Sequence, residues 1–188
     1  MKNKKDQLRN KFLALRKKKY FEVSINRFNK LVNYIKKRNK IKKSFVIGLY
    51  YPSNYEFNIL KLIRNFKNSK IIFLLPKIFN SNLMKFVEWK EKDTLTVNKF
   101  GIPEPFDTKK KSYLPDVVLV PLVAFDSYKN RLGYGKGFYD RYLYKLIKTN
   151  KKVETIGVAF SFQEYKKLPT SSFDFKLNNI YTEKGFIK

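Results

Sequence analysis

Val117-Val-Leu-Val-Pro-Leu-Val-Ala-Phe125 runs directly into Asp126-Ser-Tyr-Lys-Asn-Arg-Leu-Gly-Tyr-Gly-Lys-Gly-Phe-Tyr-Asp140-Arg141. The first nine residues are apolar and broken only by Pro121, far short of the ~20 a membrane helix needs, so they predict a buried strand. The stretch after them holds three of the chain's seven glycines, Gly133, Gly135 and Gly137, at alternate positions. It leads into residues 139–149, where Tyr142, Leu143 and Leu146 share one face of a predicted helix. Strand, glycine loop and helix in that order are the parts of a phosphate-binding turn.

The segments on either side repeat the alternation. Upstream, residues 44–51 predict a buried strand closed by Pro52, Ser53 and Asn54, with Glu56 just beyond it. Asn58 is placed to cap a helix over 59–66, and 70–75 predicts the next strand, stopped by Pro76, which completes a βαβ unit. Residues 83–89 read as a peripheral strand, with Trp89 half-buried in packing, and 100–105 as an extended, proline-stiffened loop. Leu8, Phe12 and Leu15 mark an apolar face on a helix over 3–19. Ser24 is a candidate cap for a second helix carrying Phe28, Leu31, Val32 and Ile35, which ends in the basic run 36–43. Lys109 to Lys111 read as a solvated turn. Downstream, 153–160 predicts a strand, 168–174 an irregular segment and 179–182 a short final strand. The expected architecture is α/β, a three-layer sandwich with a mostly parallel central sheet and helices on both faces, formed by residues 1–188 as a single domain.

Composition narrows the function classes. A chain of 188 residues without cysteine has no disulfide framework and no thiolate chemistry, yet is long enough to bury a core. The basic N-terminus lacks an apolar signal core, which with the missing cysteines predicts a cytoplasmic address and no membrane partner. A net charge of +27 attracts anions in general, folate polyglutamates and nucleotides among them. Its basic residues are spread along the chain instead of forming a stripe interleaved with aromatics, so a specific nucleic-acid partner is not expected. Tight, steeply salt-dependent RNA binding would contradict that expectation.

The chemistry concentrates in the glycine loop. Residues without a Cβ let the backbone turn sharply and approach a ligand, and their N–H groups with the following helix N-terminus form an anion nest. Arg131 and Lys136 add full positive charge. Asp140, in the first helical turn, suits either the helix dipole or Mg²⁺ beside phosphates, and spacing alone leaves both open. Spacing also leaves the like-charged pair Lys5 and Arg9, four residues apart, explicable by chance in so basic a chain. The loop is neither GxGxxG nor GxxxxGK[ST], so it supports neither a dinucleotide fold nor a P-loop ATPase. Without histidine, cysteine or a serine in a nucleophile elbow, covalent catalysis by the protein is not expected.

Asn130-Arg-Leu-Gly-Tyr-Gly-Lys-Gly-Phe-Tyr-Asp-Arg141 after an apolar strand and Asp126 closely resembles the signature of the 5-formyltetrahydrofolate cyclo-ligases, also called 5,10-methenyltetrahydrofolate synthetases. Lys5-x-x-Leu8-Arg9 followed by Arg16, Phe100-Gly-Ile-Pro-Glu104-Pro105, Leu168-Pro169 and Asp174 extend the resemblance over nearly the whole chain. Phe173 stands where the family has His, and Phe138 where Tyr is commoner. The resemblance implies an ATP- and Mg²⁺-dependent cyclisation of 5-formyltetrahydrofolate to 5,10-methenyltetrahydrofolate, by phosphorylation of the formyl oxygen and attack of N10, with ADP and phosphate released. It implies Lys5, Arg9, Arg131 and Lys136 at the ATP phosphates, cradled by backbone from Leu132, Gly133, Tyr134, Gly135, Gly137, Phe138 and Tyr139. Lys136 and Arg131 are the expected catalytic groups. Tyr51, Glu56, Phe100, Arg9 and Tyr139 are the expected folate contacts, and Asp140 and Asp174 the expected Mg²⁺ ligands. The implied partners are small molecules only, and the chain is expected to act as a monomer. A sugar-phosphate isomerase on a similar sandwich is the nearest rival; it requires neither ATP nor paired magnesium carboxylates.

Overall fold

In the computed structural model, which describes residues 2–39, 45–66, 70–79, 83–106 and 113–187, the elements follow the predicted alternation. They are α1 (Lys2–Lys19), a 3-10 turn (Ile25–Phe28), α2 (Asn29–Asn39), β1 (Phe45–Gly48), a 3-10 helix (Ile59–Phe66), β2 (Ile71–Ile78) and β3 (Met84–Glu88). Then come β4 (Leu95–Val97), β5 (Pro103–Pro105), β6 (Val117–Pro121), β7 (Ala124–Phe125), β8 (Arg131–Leu132), α3 (Phe138–Thr149) and β9 (Glu154–Val158). A 3-10 turn (Ser161–Gln163), β10 (Asn179–Thr182) and β11 (Gly185–Phe186) close the chain. Lys109 to Lys111, and the basic run beyond Asn39, lie outside the described residues.

Seven strands form one sheet in the order β11-β10-β9-β6-β1-β2-β3. The five inner strands are parallel, and β3 and β11 pair antiparallel at the two edges. This is the mostly parallel sheet that the sequence predicts. Both of its faces are buried because the strand residues are apolar at odd and even positions alike. Val117, Leu119, Ile47 and Ile156 meet Leu31, Val32 and Ile35 of α2 and Ile59, Leu62 and Phe66 of the 3-10 helix. Val118, Val120, Val46 and Ile180 meet Leu143 and Leu146 of α3 on the opposite face. Gly157 of β9 lies where a Cβ would stand 2.6 Å from Ile180 Cδ1 and 2.8 Å from Leu122 Cδ2 and Leu177 Cδ1. Gly157→Ala is therefore expected to cost about 1–3 kcal/mol through overpacking, read in urea as a lower midpoint with an unchanged m-value.

Several local expectations are corrected. Strand β2 does not stop at Pro76 but runs on to Ile78. Leu74 carbonyl accepts from Leu49 N at 2.8 Å, and two residues on, Pro76 faces the same edge beyond the end of β1, where no ladder needs its missing N–H. Residues 59–66 form a 3-10 helix, and the Asn58 amide turns away to donate to Glu22 Oε1 at 3.3 Å. Ser24 precedes its 3-10 turn without a side-chain cap bond. The apolar run from Val117 divides after Pro121, and Ala124–Phe125 pairs instead with Arg131–Leu132. Residues 103–105 are not loop but pair with 95–97 in a hairpin. Trp89 is buried, not half-buried.

The chain moves outward from β1 to β2 and β3, then returns to the other side of β1 for β6, β9 and β10. That reversal opens a crevice between the loops leaving β1 and β6, where open α/β sheets bind ligands. Helix α1 covers neither sheet face. Its Leu8 and Phe12 pack with Val123, Ala124, Leu132 and Leu168 beyond the strand ends, which sets its basic side chains over the crevice.

Candidate active site

A cavity of about 750 Å³ occupies the crevice. Every residue expected at the site borders it: Lys5 and Arg9 from α1, Tyr51 and Glu56 after β1, Phe100 from the tip of the β4–β5 hairpin, Arg131 to Asp140, and Asp174.

The entry to the glycine loop is fixed by Asp126, which is fully buried. Its carboxylate accepts from Asn130 N and Nδ2 and from Leu168 N, each at 3.0 Å. The resulting turn closes the β7–β8 hairpin and delivers Arg131 to the cavity wall. Gly135 and Gly137 have φ of +90° and +67°, values that disfavour any side chain. A Cβ on Gly135 would also lie 3.2 Å from Arg9 Cζ, so this glycine admits α1 to the loop. Gly137 begins α3 without a side-chain cap, leaving the first N–H groups of that helix for a ligand. Lys136 is exposed, and its ammonium sits 5.9 Å from the centre of the Phe100 ring. It makes no ion pair with a carboxylate among the described residues. Phe100 in turn meets Phe138 edge-to-face at 5.9 Å.

Two ion pairs flank the loop. Arg131 Nη2 donates to Asp140 Oδ1 at 2.6 Å, and that oxygen also accepts from Phe175 N at 3.0 Å. Burial pushes the Arg131 pKa down, opposed by Asp140, Tyr139 and Asp174. Its Nε and the Tyr139 hydroxyl are buried without a hydrogen-bond partner among the described residues, two polar atoms that a ligand can satisfy. Lys5 Nζ donates to Asp174 Oδ2 at 2.5 Å, and Ser171 donates to the same oxygen through N (2.6 Å) and Oγ (3.0 Å). Arg9 donates through Nε to Gly133 O at 2.8 Å and through Nη1 to Asp6.

The two carboxylates fit a magnesium ion of one kind only. Among the described residues no three acidic or imidazole side chains gather into a metal cage, and Asp140 Oδ2 and Asp174 Oδ1 accept no hydrogen bond. Mg²⁺ takes one or two carboxylates together with phosphate oxygens and water, so this pair suits an ion that arrives with a polyphosphate.

Burial alone would raise the Asp174 pKa, but the Lys5 and Ser171 hydrogen bonds outweigh it and hold it below the ordinary 3.8. A depressed carboxylate contributes stability above its unfolded pKa and loses it as pH falls through the folded value. Asp174→Asn is therefore expected to lower stability at neutral pH by about 1 kcal/mol. The gap from the wild type should close below pH 3.8, as followed by thermal melts across pH.

Opposite the loop, Glu56 is buried. Its Oε1 accepts from the Tyr134 hydroxyl at 2.5 Å, and its Oε2 from Ser53 N at 2.8 Å and Ser53 Oγ at 3.3 Å. Desolvation pushes its pKa up, and Arg16, Tyr134 and Ser53 pull it back. Arg16, 1% exposed, donates to Asn54 O (2.9 Å), Leu122 O (3.1 Å) and Tyr134 Oη (2.6 Å). Sequence reasoning placed Arg16 in the resembling N-terminal motif without a contact, and read Ser53 and Asn54 only as turn residues. The signal for Arg16 was its spacing: seven residues after Arg9, it continues the same side of α1 as Lys5 and Arg9. Phe173 is 82% exposed at the rim, so the ring that replaces the family's His packs against nothing in the core.

The chain matches the model of the 5-formyltetrahydrofolate cyclo-ligase family over residues 1–183. It is 33% identical over 140 residues to the 5-formyltetrahydrofolate cyclo-ligase of Haemophilus influenzae, covering 71% of this chain and 73% of that protein. The Mycoplasma genitalium protein of the same name is 31% identical over 164 residues, covering 87% and 84%. Among solved structures, the 5,10-methenyltetrahydrofolate synthetase of Aquifex aeolicus superposes with a TM-score of 0.71 at 31% identity, covering 97% of this chain and 91% of that one.

Proposed function

The chain belongs to the 5-formyltetrahydrofolate cyclo-ligase family, and from that premise we propose that it closes 5-formyltetrahydrofolate to 5,10-methenyltetrahydrofolate at the expense of ATP, with Mg²⁺. One observation carries the proposal: the cationic glycine loop and the buried Glu56 face each other across one cavity, a phosphate cradle against an acceptor for a pterin's donors.

In this mechanism the formyl oxygen attacks the γ-phosphorus and ADP departs. N10 then adds to the formyl carbon, and the C–O bond breaks to release phosphate. Loss of the N10 proton leaves the methenyl bridge as a cation. The protein supplies position and charge, not a covalent partner. Lys136, Arg131, Lys5 and Arg9 compensate the charge of the phosphates, while backbone N–H groups of residues 132–139 cradle them. Glu56 accepts from the pterin, Tyr51 and Phe100 pack against the folate, and the unpartnered Tyr139 hydroxyl donates to either substrate. Asp140 and Asp174 would hold Mg²⁺, which neutralises charge on the transferring phosphoryl group.

No helix of the described residues is long and apolar enough to cross a membrane. We read the chain as one cytoplasmic domain that acts as a monomer on small molecules, which fits a single cavity that holds both the cationic loop and Glu56. The test mixes purified protein with 5-formyltetrahydrofolate, Mg²⁺ and ATP and follows the absorbance of the methenyl product. Product should form with ATP and stop in its absence or with a magnesium chelator. Absence of product in all conditions refutes the proposal.

A further inference from the structure

We propose, resting on the folate reading above, that Arg16 is a positioning residue of the reaction: through the Tyr134 hydroxyl and the Asn54 carbonyl it holds the Glu56 carboxylate oriented toward the folate. A guanidinium only donates. With Arg16 Nη2 at 2.6 Å from Tyr134 Oη, the phenol's acceptor side is occupied and its single proton points to Glu56 Oε1 at 2.5 Å. Glu56 Oε2 accepts two further donors from Ser53. Both oxygens are thus acceptors, the hydrogen-bond pattern of an ionised carboxylate.

The second route is through the backbone. Asn54 and Tyr55, the residues between Ser53 and Glu56, have φ of +47° and +61°, a conformation that is costly for a tyrosine and persists only where neighbours hold it. Arg16 Nε grips the Asn54 carbonyl at 2.9 Å, and Nη1 anchors the guanidinium to Leu122 O at 3.1 Å. One buried fork therefore fixes both the loop that carries Glu56 and the phenol that touches it. Tyr134 takes two parts in this arrangement, its backbone lying in the phosphate cradle and its side chain on the folate side.

The groups that act on Glu56 are Arg16 on α1, Tyr134 on the glycine loop and Ser53 beyond β1, while Tyr50 and Tyr139 lie near enough to feel its charge. Arg16 is the one cation in that set. Without it, a carboxylate whose ionisation burial already disfavours ionises only at higher pH.

The experiment compares wild type, Arg16→Met, Arg16→Lys and Tyr134→Phe for KM of each substrate, for the pH profile of kcat/KM for folate, and for binding of 5-formyltetrahydrofolate without nucleotide. In Arg16→Met the folate KM should rise about tenfold or more while the ATP KM stays within about twofold, and the acidic limb should move to higher pH. Arg16→Lys restores the charge but not the three-way fork, so the limb should return while the folate KM stays raised. Tyr134→Phe, which deletes one hydroxyl and leaves the ring in place, should shift both quantities in the same direction by less and remain folded, with a melting temperature only modestly lowered. It decides the matter if the Arg16 variants do not fold. Unchanged folate KM and acidic limb in Tyr134→Phe, or equal rises in both KM values in the Arg16 variants, overturn the role of Arg16. A wild type that neither binds nor converts 5-formyltetrahydrofolate overturns the folate reading instead.

Discussion

Arg131→Ala is expected to lower folding stability by about 3 kcal/mol, a fall in Tm on the order of 10 °C, and to remove most turnover. The Arg131 side chain is 4% exposed and that of Asp140 22%, so deletion of the guanidinium strands a carboxylate that is mostly out of water. Asp140 sits at the low end of such costs because it retains some solvent and the Phe175 N–H. Replacing both partners, as Arg131→Met with Asp140→Leu, removes the stranded charge and should recover much of the stability. It should not recover turnover. Thermal melts beside the product-absorbance assay separate the two losses, and a double variant that regained activity would show that the pair is structural only.

Lys136→Ala is expected to leave stability within about 0.5 kcal/mol of wild type, since the side chain is exposed and makes no ion pair among the described residues. Turnover should fall by about 10²–10³-fold, the scale for removing one group that stabilises transition-state charge. The contrast between the two lysines of the site is informative. Lys5 is held at 2.5 Å by Asp174, whereas Lys136 has no such carboxylate among the described residues, and from its place over the Phe100 ring it can follow a phosphoryl group. The absorbance assay at saturating ATP measures the loss in kcat, and near-normal turnover would remove Lys136 from the catalytic assignment.

What the sequence could and could not disclose follows from how far each interaction reaches. Apolar runs such as Val117–Pro121 predicted buried strands because burial on both faces is written in consecutive residues. The glycine loop was legible for the same reason, since its backbone requirements and its cations are contiguous. Strand order was not, because periodicity specifies which face a residue occupies and not which strand lies beside it. The β4–β5 hairpin escaped because a three-residue strand containing two prolines reads as loop until Thr96 and Glu104 are seen opposite each other. Pro76 misled because the cost of its missing N–H depends on where β1 ends. Lys5, Arg9 and Asp174 were reached by resemblance alone. Arg16 entered only as part of the resemblance and without a contact of its own, because the carbonyls that bury it are brought up by chain 38 and 106 residues away.

The ion pair between Lys5 and Asp174 joins residues 169 positions apart, and this has a consequence for synthesis. On the ribosome α1 emerges before its distant partners and must wait, its basic face unmatched, while they are still being translated. The inner sheet can gather as its strands appear, but the cavity lacks a wall until Asp174 has cleared the exit tunnel. Ligand binding by nascent chains of increasing length should therefore switch on only once Asp174 has emerged, which makes the site a reporter of how far the chain has left the tunnel.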